Sequence, residues 1–333
     1  MVTIKDVADL AQVSATTVSH VINQTRHVDP ATRQRVTEAI AELGYRPNTL
    51  ARSLRRRETR TIGLIVPDNS NPYFAELARA VEDAGFAKGY SVILCNSDMS
   101  EVKEAAYIEA LLSKQVDGII LISAANRREK FSEIIQAGVP VVTVARELSD
   151  LPIDQIVTDN EQGGYLVGRH LIELGHRRIG CIAGPRDETP SADRIVGLRR
   201  ALHEAGVDLP EGLVIRGDFT YESGHRVMAE LLLRSPDLTA VFAANDRMAV
   251  GAMNYLWQTG RRIPDDISII GFDDIPVAAM TCPPLTTIAT PKADFARVSV
   301  SLLIERITNA RREPVRVILP TRLVVRESCR AIV

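Results

Sequence analysis

The sequence predicts a small all-helical N-terminal unit followed by a larger α/β core of two doubly wound parallel sheets. Two observations carry this prediction. Residues 1–57 contain three short amphipathic segments and carry nine basic against five acidic side chains, whereas the rest of the 333-residue chain has six more acidic than basic residues. From about residue 61, short apolar runs alternate with longer amphipathic stretches, a pattern typical of βα repeats and parallel sheets.

The composition excludes several other classes of protein. Hydrophobic residues make up 45% of the chain, which is enough for a large buried core and excludes a mostly disordered protein. The longest apolar runs are about seven residues, and a membrane helix needs roughly 18. The N-terminus lacks a basic stretch followed by an apolar one, so we expect a cytoplasmic protein without a membrane partner. Neither the four cysteines nor the six histidines have metal-ligand spacing, so no metal and no cofactor are predicted.

The first two helices are predicted by their caps and by the turn between them. Thr3 and Asp6 resemble a capping box at the start of a helix over about residues 4–11. A tight turn follows, and Ser14 is a good N-cap for a second helix over about residues 15–22.

The third helix has signals at both of its ends. Asp29 is placed as its N-cap, Pro30 occupies its first position, and Gly44 stops it. Three short helices with a tight turn between the first two match a helix-turn-helix. The alternative is a generic three-helix unit with a solvated face, which explains neither the excess of basic residues nor the caps.

The outer face of the second helix suits a DNA major groove, because its side chains are small and polar. Thr16 and His20 can hydrogen-bond base edges, and Ala15 can contact a thymine methyl group. The residues that we predict to contact DNA from this unit are Thr3, Ser14, Ala15, Thr16, Thr17, Ser19, His20, Asn23 and Arg26.

Residues 47–58 follow as a basic segment. Pro47 fits a helix start, and Leu50 and Leu54 stand four residues apart on one face. A purely solvated linker is the alternative, and it leaves the two leucines unexplained.

The larger unit is predicted from its strands and from the side chains at their carboxyl ends. The apolar runs are Ile62–Val66, Val92–Cys95, Gly118–Ile122, Val139–Val144, Ile179–Ile182, Leu213–Arg216, Ala240–Ala243 and Ser268–Phe272. About 270 residues are many for one open sheet, so we expect two halves that divide near Asp159 and Asn160. Open parallel sheets bind ligands at the carboxyl ends of their strands.

The side chains after these strands suit a polyhydroxylated ligand, because aromatic faces stack on sugar rings while polar groups bond hydroxyls. They are Asp68, Asn71, Tyr73, Phe74, Arg146, Asn245, Asp273 and Asp274, to which Arg194 adds a further donor. We expect Asp273 to accept hydrogen bonds from the ligand, with Arg146 and Arg194 keeping its carboxylate ionised. For any single residue, ordinary loop chemistry is the alternative.

No motif for a known catalytic chemistry is present. The chain has no GxGxxG after its first strand, no Walker loop and no GxSxG. No residue is therefore predicted to be catalytic, and an enzyme is the weaker alternative. A secreted sugar carrier is a third interpretation, which the basic helical head and the absence of a signal peptide oppose.

Three segments resemble the signature of the lac/gal repressor (LacI) family of bacterial transcription regulators. They are Ile4-Lys5-Asp6-Val7-Ala8, Val13-Ser14-Ala15-Thr16-Thr17-Val18-Ser19-His20-Val21-Ile22-Asn23 and Tyr45-Arg46-Pro47-Asn48. The likeness extends along the whole chain and is closest to the ribose and purine repressors. It implies a helix-turn-helix headpiece (residues 1–46), a hinge helix (47–58), and a core similar to the periplasmic binding proteins. The first lobe of that core would comprise 60–160 and 291–319, and the second 161–290 and 320–333.

The resemblance also implies roles for individual residues. In the hinge, Leu54 would wedge into a base step, with Arg55 beside it. In the core, the residues that match effector contacts are Asn71, Tyr73, Phe74, Arg146, Arg194, Phe219, Asn245 and Asp273. Two positions depart from the sugar-binding relatives: Ala145 stands where they usually have aspartate, and Thr290 where ribose binders have glutamine. Thr290 is nevertheless predicted to contact the effector.

The function implied by this resemblance is repression of transcription under the control of a small molecule. A homodimer would read a pseudo-palindromic operator in double-stranded DNA. A small sugar-like effector would bind between the lobes, with a purine or nucleoside as the alternative. Whether the effector releases DNA or promotes binding stays open, with release of DNA favoured.

Overall fold

A computed structural model describes residues 2–45, 58–122, 134–144, 152–186, 189–311 and 313–332 of the chain. The chain divides into two compact units, Met1–Thr59 and Arg60–Val333. In the described residues, no helix combines the length and the apolar character that a bilayer crossing requires.

In the first unit, the described residues 2–45 form three helices, and we call this part the headpiece. Its helices are α1 (Ile4–Ala11), α2 (Ala15–Asn23) and α3 (Pro30–Leu43). One fully buried valine from each helix forms the centre of the small core, namely Val7, Val18 and Val36.

The predicted caps of the headpiece are confirmed. In α1, the Thr3 backbone N–H donates to an Asp6 carboxylate oxygen at 2.7 Å, and the Thr3 hydroxyl accepts in return. The Ser14 hydroxyl accepts from a backbone N–H in the first turn of α2. In α3, Asp29 caps the start, and Gly44 ends the helix with a φ of +59°.

The second unit, the core, alternates strands and helices along the chain. In order they are β1 (Thr61–Val66), α4 (Pro72–Ala87), β2 (Ser91–Asn96), α5 (Glu101–Ser113), β3 (Gly118–Ile122), β4 (Val141–Val144), β5 (Asp154–Thr158), α6 (Asn160–Glu173), β6 (Ile179–Ala183), α7 (Thr189–Glu204) and β7 (Val214–Arg216). The order continues with α8 (Tyr221–Arg234), β8 (Ala240–Ala243), α9 (Asp246–Gln258), β9 (Ser268–Asp273), β10 (Thr286–Ala289), α10 (Lys292–Ile307), β11 (Arg316–Leu319) and β12 (Arg322–Val324).

Two six-stranded sheets confirm the predicted fold class. The first has the strand order β11-β5-β4-β3-β1-β2, and each of its pairs is parallel. The second has the order β12-β10-β9-β8-β6-β7, and only its edge strand β12 is antiparallel to its neighbour. We call the first sheet with α4, α5 and α10 the first lobe, and the second sheet with α6 to α9 the second lobe.

The chain passes between the lobes at residues 158–160, 290–292 and 320–321. Because the carboxyl ends of β1 and β5 in one lobe and of β6, β8 and β9 in the other meet near these crossings, the loops after them line a common cleft.

Three strands, β5, β10 and β11, were not predicted, and the first two place buried polar side chains such as Asp154 and Thr286 inside the sheets. The strand-like run Leu323–Val325 predicts β12 to within one residue at each end. Two of the predicted runs start before their strands do, since β4 begins at Val141 and β7 at Val214. In β7, Leu213 is the last residue of a short 3₁₀ helix (Glu211–Leu213), so the strand begins only after it.

Candidate functional site

A cavity of about 240 Å³ lies in the cleft between the two lobes. It gathers predicted residues from both lobes, namely Asn71, Tyr73, Phe74, Arg194, Phe219, Asn245 and Asp273, together with Asp68. A concave site with aromatic walls and a few polar groups is typical of small-molecule sites.

Asp273 and Arg194 form a buried charged pair at the cavity. Arg194 Nη2 lies 3.5 Å from Asp273 Oδ1, and both side chains are about 10% exposed. The Arg194 guanidinium also donates to Asn160 Oδ1 at 2.9 Å and to the Ala244 carbonyl oxygen. It stacks over the Phe272 ring at 3.7 Å from the centroid, so its position is fixed by several contacts.

Burial opposes the ionisation of Asp273 that we expect the arginine charge to favour. Burial raises the pKa of Asp273 to about 6, and the charges of Arg194 and Lys292 lower it only in part. The carboxylate is mostly ionised at neutral pH but takes up a proton in mild acid.

The backbone around Asp273 is held in an unusual conformation. Asp273 and Asp274 have φ angles of +107° and +52°, in the region that side chains other than glycine rarely adopt. The fully buried Asp246 fixes the loop, because its Oδ2 accepts the Ile275 backbone N–H at 2.9 Å and its Oδ1 accepts the Thr287 hydroxyl at 2.5 Å. Burial, with the Asp273 charge nearby, raises the pKa of Asp246 well above its usual value.

Two asparagines at the cavity also cap helices. Asn71 Oδ1 accepts from the Tyr73 backbone N–H at 3.1 Å at the start of α4. Asn245 Oδ1 accepts from the Met248 backbone N–H at 2.9 Å, and its Nδ2 donates to the Phe219 carbonyl oxygen at 3.2 Å. Both asparagines therefore cap a helix and also line the cavity.

The aromatic side chains form the apolar part of the wall. Tyr73 and Phe74 lie edge to face with ring centroids 5.1 Å apart. Phe219 has a φ of +68°, and a Cβ atom on Gly184 would lie 2.2 Å from its ring. Glycine at position 184 therefore allows this ring to lie against the strand end. Burial, and then the Asp273 charge, raises the pKa of the Tyr73 hydroxyl, which stays neutral.

Three predicted residues are not among the described side chains of the cavity wall. One of them, Asp274, instead pairs its carboxylate with Arg326 at 2.6 Å. Thr290 lies behind the wall, where its hydroxyl donates to the Asp273 carbonyl oxygen at 3.4 Å. It therefore supports the Asp273 loop rather than facing the cavity. Arg146 is outside the described residues.

Sequence reasoning missed several residues of the wall. They are Pro67, Met99, Ile122, Thr158, Asn160, Pro190, Asp218, Thr220 and Arg247. Thr158 ends β5 and Asn160 follows it, so recognising that strand would have found them. Across the described ranges, no group of three or more histidine, cysteine or acidic side chains is placed to hold a metal ion.

In the headpiece, the predicted DNA contacts fall into three groups. Ala15, Thr16 and Arg26 are exposed, whereas Ser19, His20 and Asn23 are half-buried. The hydroxyls of the remaining three, Thr3, Ser14 and Thr17, take part in helix caps.

Two polar side chains of α2 have partners within the headpiece. His20 Nδ1 lies 2.7 Å from the Thr25 hydroxyl, and Asn23 Nδ2 donates to the Ser19 carbonyl oxygen at 2.8 Å. Thr16 and the second ring nitrogen of His20 therefore remain the predicted base-reading groups. The predicted hinge contacts Leu54 and Arg55 lie outside the described residues.

Two family models match the chain. Residues 3–48 match "Bacterial regulatory proteins, lacI family". Residues 59–327 match "Periplasmic binding proteins and sugar binding domain of LacI family".

Curated relatives and solved structures agree with both matches. The ribose operon repressor of Escherichia coli (strain K12) is 42% identical over 92% of this chain and 94% of its own length. The HTH-type transcriptional repressor PurR of Escherichia coli O1:K1 / APEC is 41% identical over 98% of this chain and 97% of its own length. A complex of the transcriptional regulator CelR with cellobiose is 40% identical, with a TM-score of 0.76 over 98% of this chain and 100% of that one. A lac repressor dimer bound to operator and an anti-inducer is 30% identical, with a TM-score of 0.89 over 99% of both chains.

Proposed function

The chain belongs to the LacI family of bacterial regulatory proteins, and we propose that it is a repressor whose operator binding is controlled by a small uncharged carbohydrate in the cleft. The observation that supports a carbohydrate ligand is the buried charged pair of Asp273 and Arg194, which lies beside the aromatic side chains of the cavity. In this proposal the cleft binds its ligand without chemical conversion, and the protein acts on DNA in the cytoplasm.

For DNA binding, we propose that two headpieces of a homodimer read a pseudo-palindromic operator. One helix-turn-helix covers half a site, so two-fold symmetry in the protein matches two-fold symmetry in the DNA. We place the headpiece at residues 1–46 and a hinge at 47–58, in which Leu54 and Arg55 contact the minor groove. In the core, we assign 60–160 and 291–319 to one lobe and 161–290 and 320–333 to the other.

We expect Thr16→Ala and His20→Ala each to weaken operator binding about five-fold and to leave binding to scrambled DNA unchanged. One lost hydrogen bond to a base edge corresponds to about 1 kcal/mol. Titrations of both DNAs at several salt concentrations measure this, because the non-specific component follows the number of neutralised phosphates. A matched control is Thr37→Ala, on α3, whose hydroxyl donates to the Arg33 carbonyl oxygen. Equal losses on operator and scrambled DNA would assign Thr16 and His20 to non-specific binding.

For the effector, we propose that Asp273 and Arg194 bond adjacent hydroxyls while Phe74 and Phe219 cover the ring faces. Asn71, Tyr73 and Asn245 complete the wall from both lobes, Thr290 supports it from behind, and Arg146 is assigned by its position in the sequence. Effector contacts on both lobes would favour their closure, and the differential affinity of the two states typically amounts to 1–3 kcal/mol of coupling.

A thermal-shift screen followed by operator titration tests this proposal. Pentoses, hexoses, disaccharides, nucleosides and purines are compared with the full-length protein. A ligand at about a hundred times its Kd stabilises the folded state by about 2.7 kcal/mol. We expect a neutral sugar to raise the melting temperature and to reduce operator affinity.

A purine or nucleoside effector is the second candidate, because the flat aromatic walls also suit a base and PurR is among the similar proteins. In that case, the screen would give a shift with purines and none with sugars.

Effector affinity is expected to fall as the pH is lowered through about 6, the raised pKa of Asp273. Effector hydroxyls donate to the ionised carboxylate, so effector binding lowers this pKa and protonation competes with the effector. Each unit of pH below about 6 should weaken binding by up to about ten-fold, until the pKa of the complex is reached. Calorimetry between roughly pH 5 and 8 measures the profile. The Asp273→Asn variant should give a flat profile, and a flat profile in the parent protein would contradict this role.

A further inference from the structure

An ion pair joins the two lobes across the cleft. Arg247, in the first turn of α9 in the second lobe, places Nη1 3.3 Å from Asp68 Oδ2 in the loop after β1 of the first lobe. Both side chains line the cavity, and neither was predicted to pair with the other. The effector must therefore bind next to a guanidinium group that already connects the lobes.

The Arg247 guanidinium has donors that the described protein atoms do not satisfy. Its Nε is buried without a hydrogen-bond partner, and Nη1 makes the contact with Asp68. An arginine offers five N–H donors, and a buried donor without an acceptor is unfavourable. Because Nε is shielded from solvent, a molecule bound in the cavity can reach only the terminal Nη groups, whose donors beyond the Asp68 contact have no acceptor among the described protein atoms.

Both members of the pair are held in place before any ligand binds. The Arg247 guanidinium lies over the Tyr221 ring at 5.1 Å from its centroid, and α9 fixes its backbone. Asp68 Oδ1 accepts from the Ser70 backbone N–H at 2.9 Å and from the Ser70 hydroxyl. Partial burial alone would raise the pKa of Asp68, but these hydrogen bonds and the Arg247 charge lower it below its usual value.

The charge balance of the described wall opposes an anionic ligand. Two arginines, Arg194 and Arg247, face three aspartates, Asp68, Asp218 and Asp273. Each arginine already has a carboxylate partner within 3.5 Å. Around Arg194 and Arg247, a carboxylate or phosphate on the ligand would therefore add a negative charge beside cations that are already paired, which disfavours its binding there. Arg146, the third arginine that we assign to the site, lies outside the described residues.

We propose that Arg247 is a specificity-determining effector contact, whose free guanidinium edge donates to an uncharged oxygen of the ligand. That oxygen is a hydroxyl, a ring oxygen or a glycosidic oxygen, so the site selects neutral sugars against sugar acids and sugar phosphates. This inference rests on the proposed function and adds Arg247 to the residues that we expect to contact the effector.

The test compares two variants of the full-length protein, Arg247→Met and Asp68→Asn. The first removes every guanidinium donor and keeps an apolar stem, whereas the second removes the ion pair and keeps the donors. The probes are D-ribose, D-glucose and cellobiose, each compared with its aldonic acid and its sugar phosphate, and the readouts are calorimetry and operator release. We expect a neutral sugar to bind most tightly, Arg247→Met to weaken it 10- to 150-fold, and Asp68→Asn to weaken it less than about five-fold.

Each other outcome contradicts a defined part of the inference. Equal losses in the two variants would mean that Arg247 acts only through the ion pair between the lobes. Tighter binding of an acid or a phosphate would overturn the selection for neutral ligands. If no probe binds while operator binding is intact, the sugar effector of the proposed function is wrong, and this inference is wrong with it. Unchanged operator affinity without sugar establishes that each variant is folded.

Discussion

Replacing Asp273 by asparagine is expected to weaken effector binding about 10- to 150-fold, while operator binding without effector stays at the parental level. A charge-assisted hydrogen bond contributes roughly 1.5–3 kcal/mol, which corresponds to that range of affinities. Because the pKa of Asp273 is about 6, its carboxylate is mostly ionised at neutral pH and there is a charge to remove. The variant should stay bound to DNA at effector concentrations that release the parent protein.

The substitution should not unfold the protein. Asparagine is among the residues that best tolerate a positive φ, and Asp273 has a φ of +107°. Arg194 would lose its carboxylate partner, but it keeps the Asn160 oxygen, the Ala244 carbonyl oxygen and the Phe272 ring as neighbours. We therefore expect a loss of about 1 kcal/mol or less, a change of roughly 2–4 °C in melting temperature.

Asp274→Asn is the matched control. Asp274 lies in the same turn, also at a positive φ, but its carboxylate pairs with Arg326 at 2.6 Å and does not line the cavity. The control should bind the effector as the parent does. Calorimetry and operator titrations of both variants measure the difference, and near-parental effector affinity in Asp273→Asn would remove the residue from the site.

Some features of this fold could be predicted because they depend on residues that are close together in the sequence. The caps formed by Thr3, Ser14 and Asp29 involve residues three positions apart, so the sequence contains both partners of each hydrogen bond. Strands buried on both faces also show as continuous apolar runs, of which β1 and β3 are examples. Residues at the carboxyl ends of such strands, like Asp273, could be predicted for the same reason.

The features that escaped prediction depend on contacts between distant parts of the chain. Strand β5 contains Asp154, a fully buried carboxylate that Arg306 and Arg311 neutralise from more than 150 positions away. A buried polar residue interrupts the apolar run by which a strand is recognised. Its distant partners cannot be inferred from the neighbouring sequence. The pairing of Asp68 with Arg247 has a sequence separation of 179 and escaped prediction for the same reason.

Helix packing in the second lobe depends on glycines that a hydrophobic pattern does not reveal. A Cβ atom on Gly251 of α9 would lie 1.9 Å from the Tyr221 carbonyl oxygen, and one on Gly224 of α8 would lie 2.1 Å from the Met248 carbonyl oxygen. The two helices therefore approach each other through reciprocal glycines, and the obstacles are backbone atoms that no side-chain rotation can remove.

Gly251→Ala should consequently destabilise the core strongly. Overpacking typically costs 1–3 kcal/mol, and a contact with backbone at 1.9 Å belongs at the upper end. Alanine is favoured over glycine inside a helix by up to about 1 kcal/mol, which offsets only part of this loss. We expect a net loss of about 2–3 kcal/mol, or roughly 4–12 °C in melting temperature for a unit of this size.

The same substitution should also weaken effector binding, because α9 begins at Asp246 and carries Arg247. Moving α9 away from α8 displaces both residues, along with the cap that Asn245 forms. Gly212→Ala is the control, since no atom lies within 4 Å of the added Cβ position. Thermal denaturation and calorimetry of the two variants measure stability and effector affinity. A loss in Gly251→Ala alone is due to the close contact between the helices, whereas an equal loss in both variants is a general effect of replacing glycine by alanine. A melting temperature for Gly251→Ala equal to that of Gly212→Ala would show that the helices can separate at little cost, so that the glycine contact does not fix the position of α9.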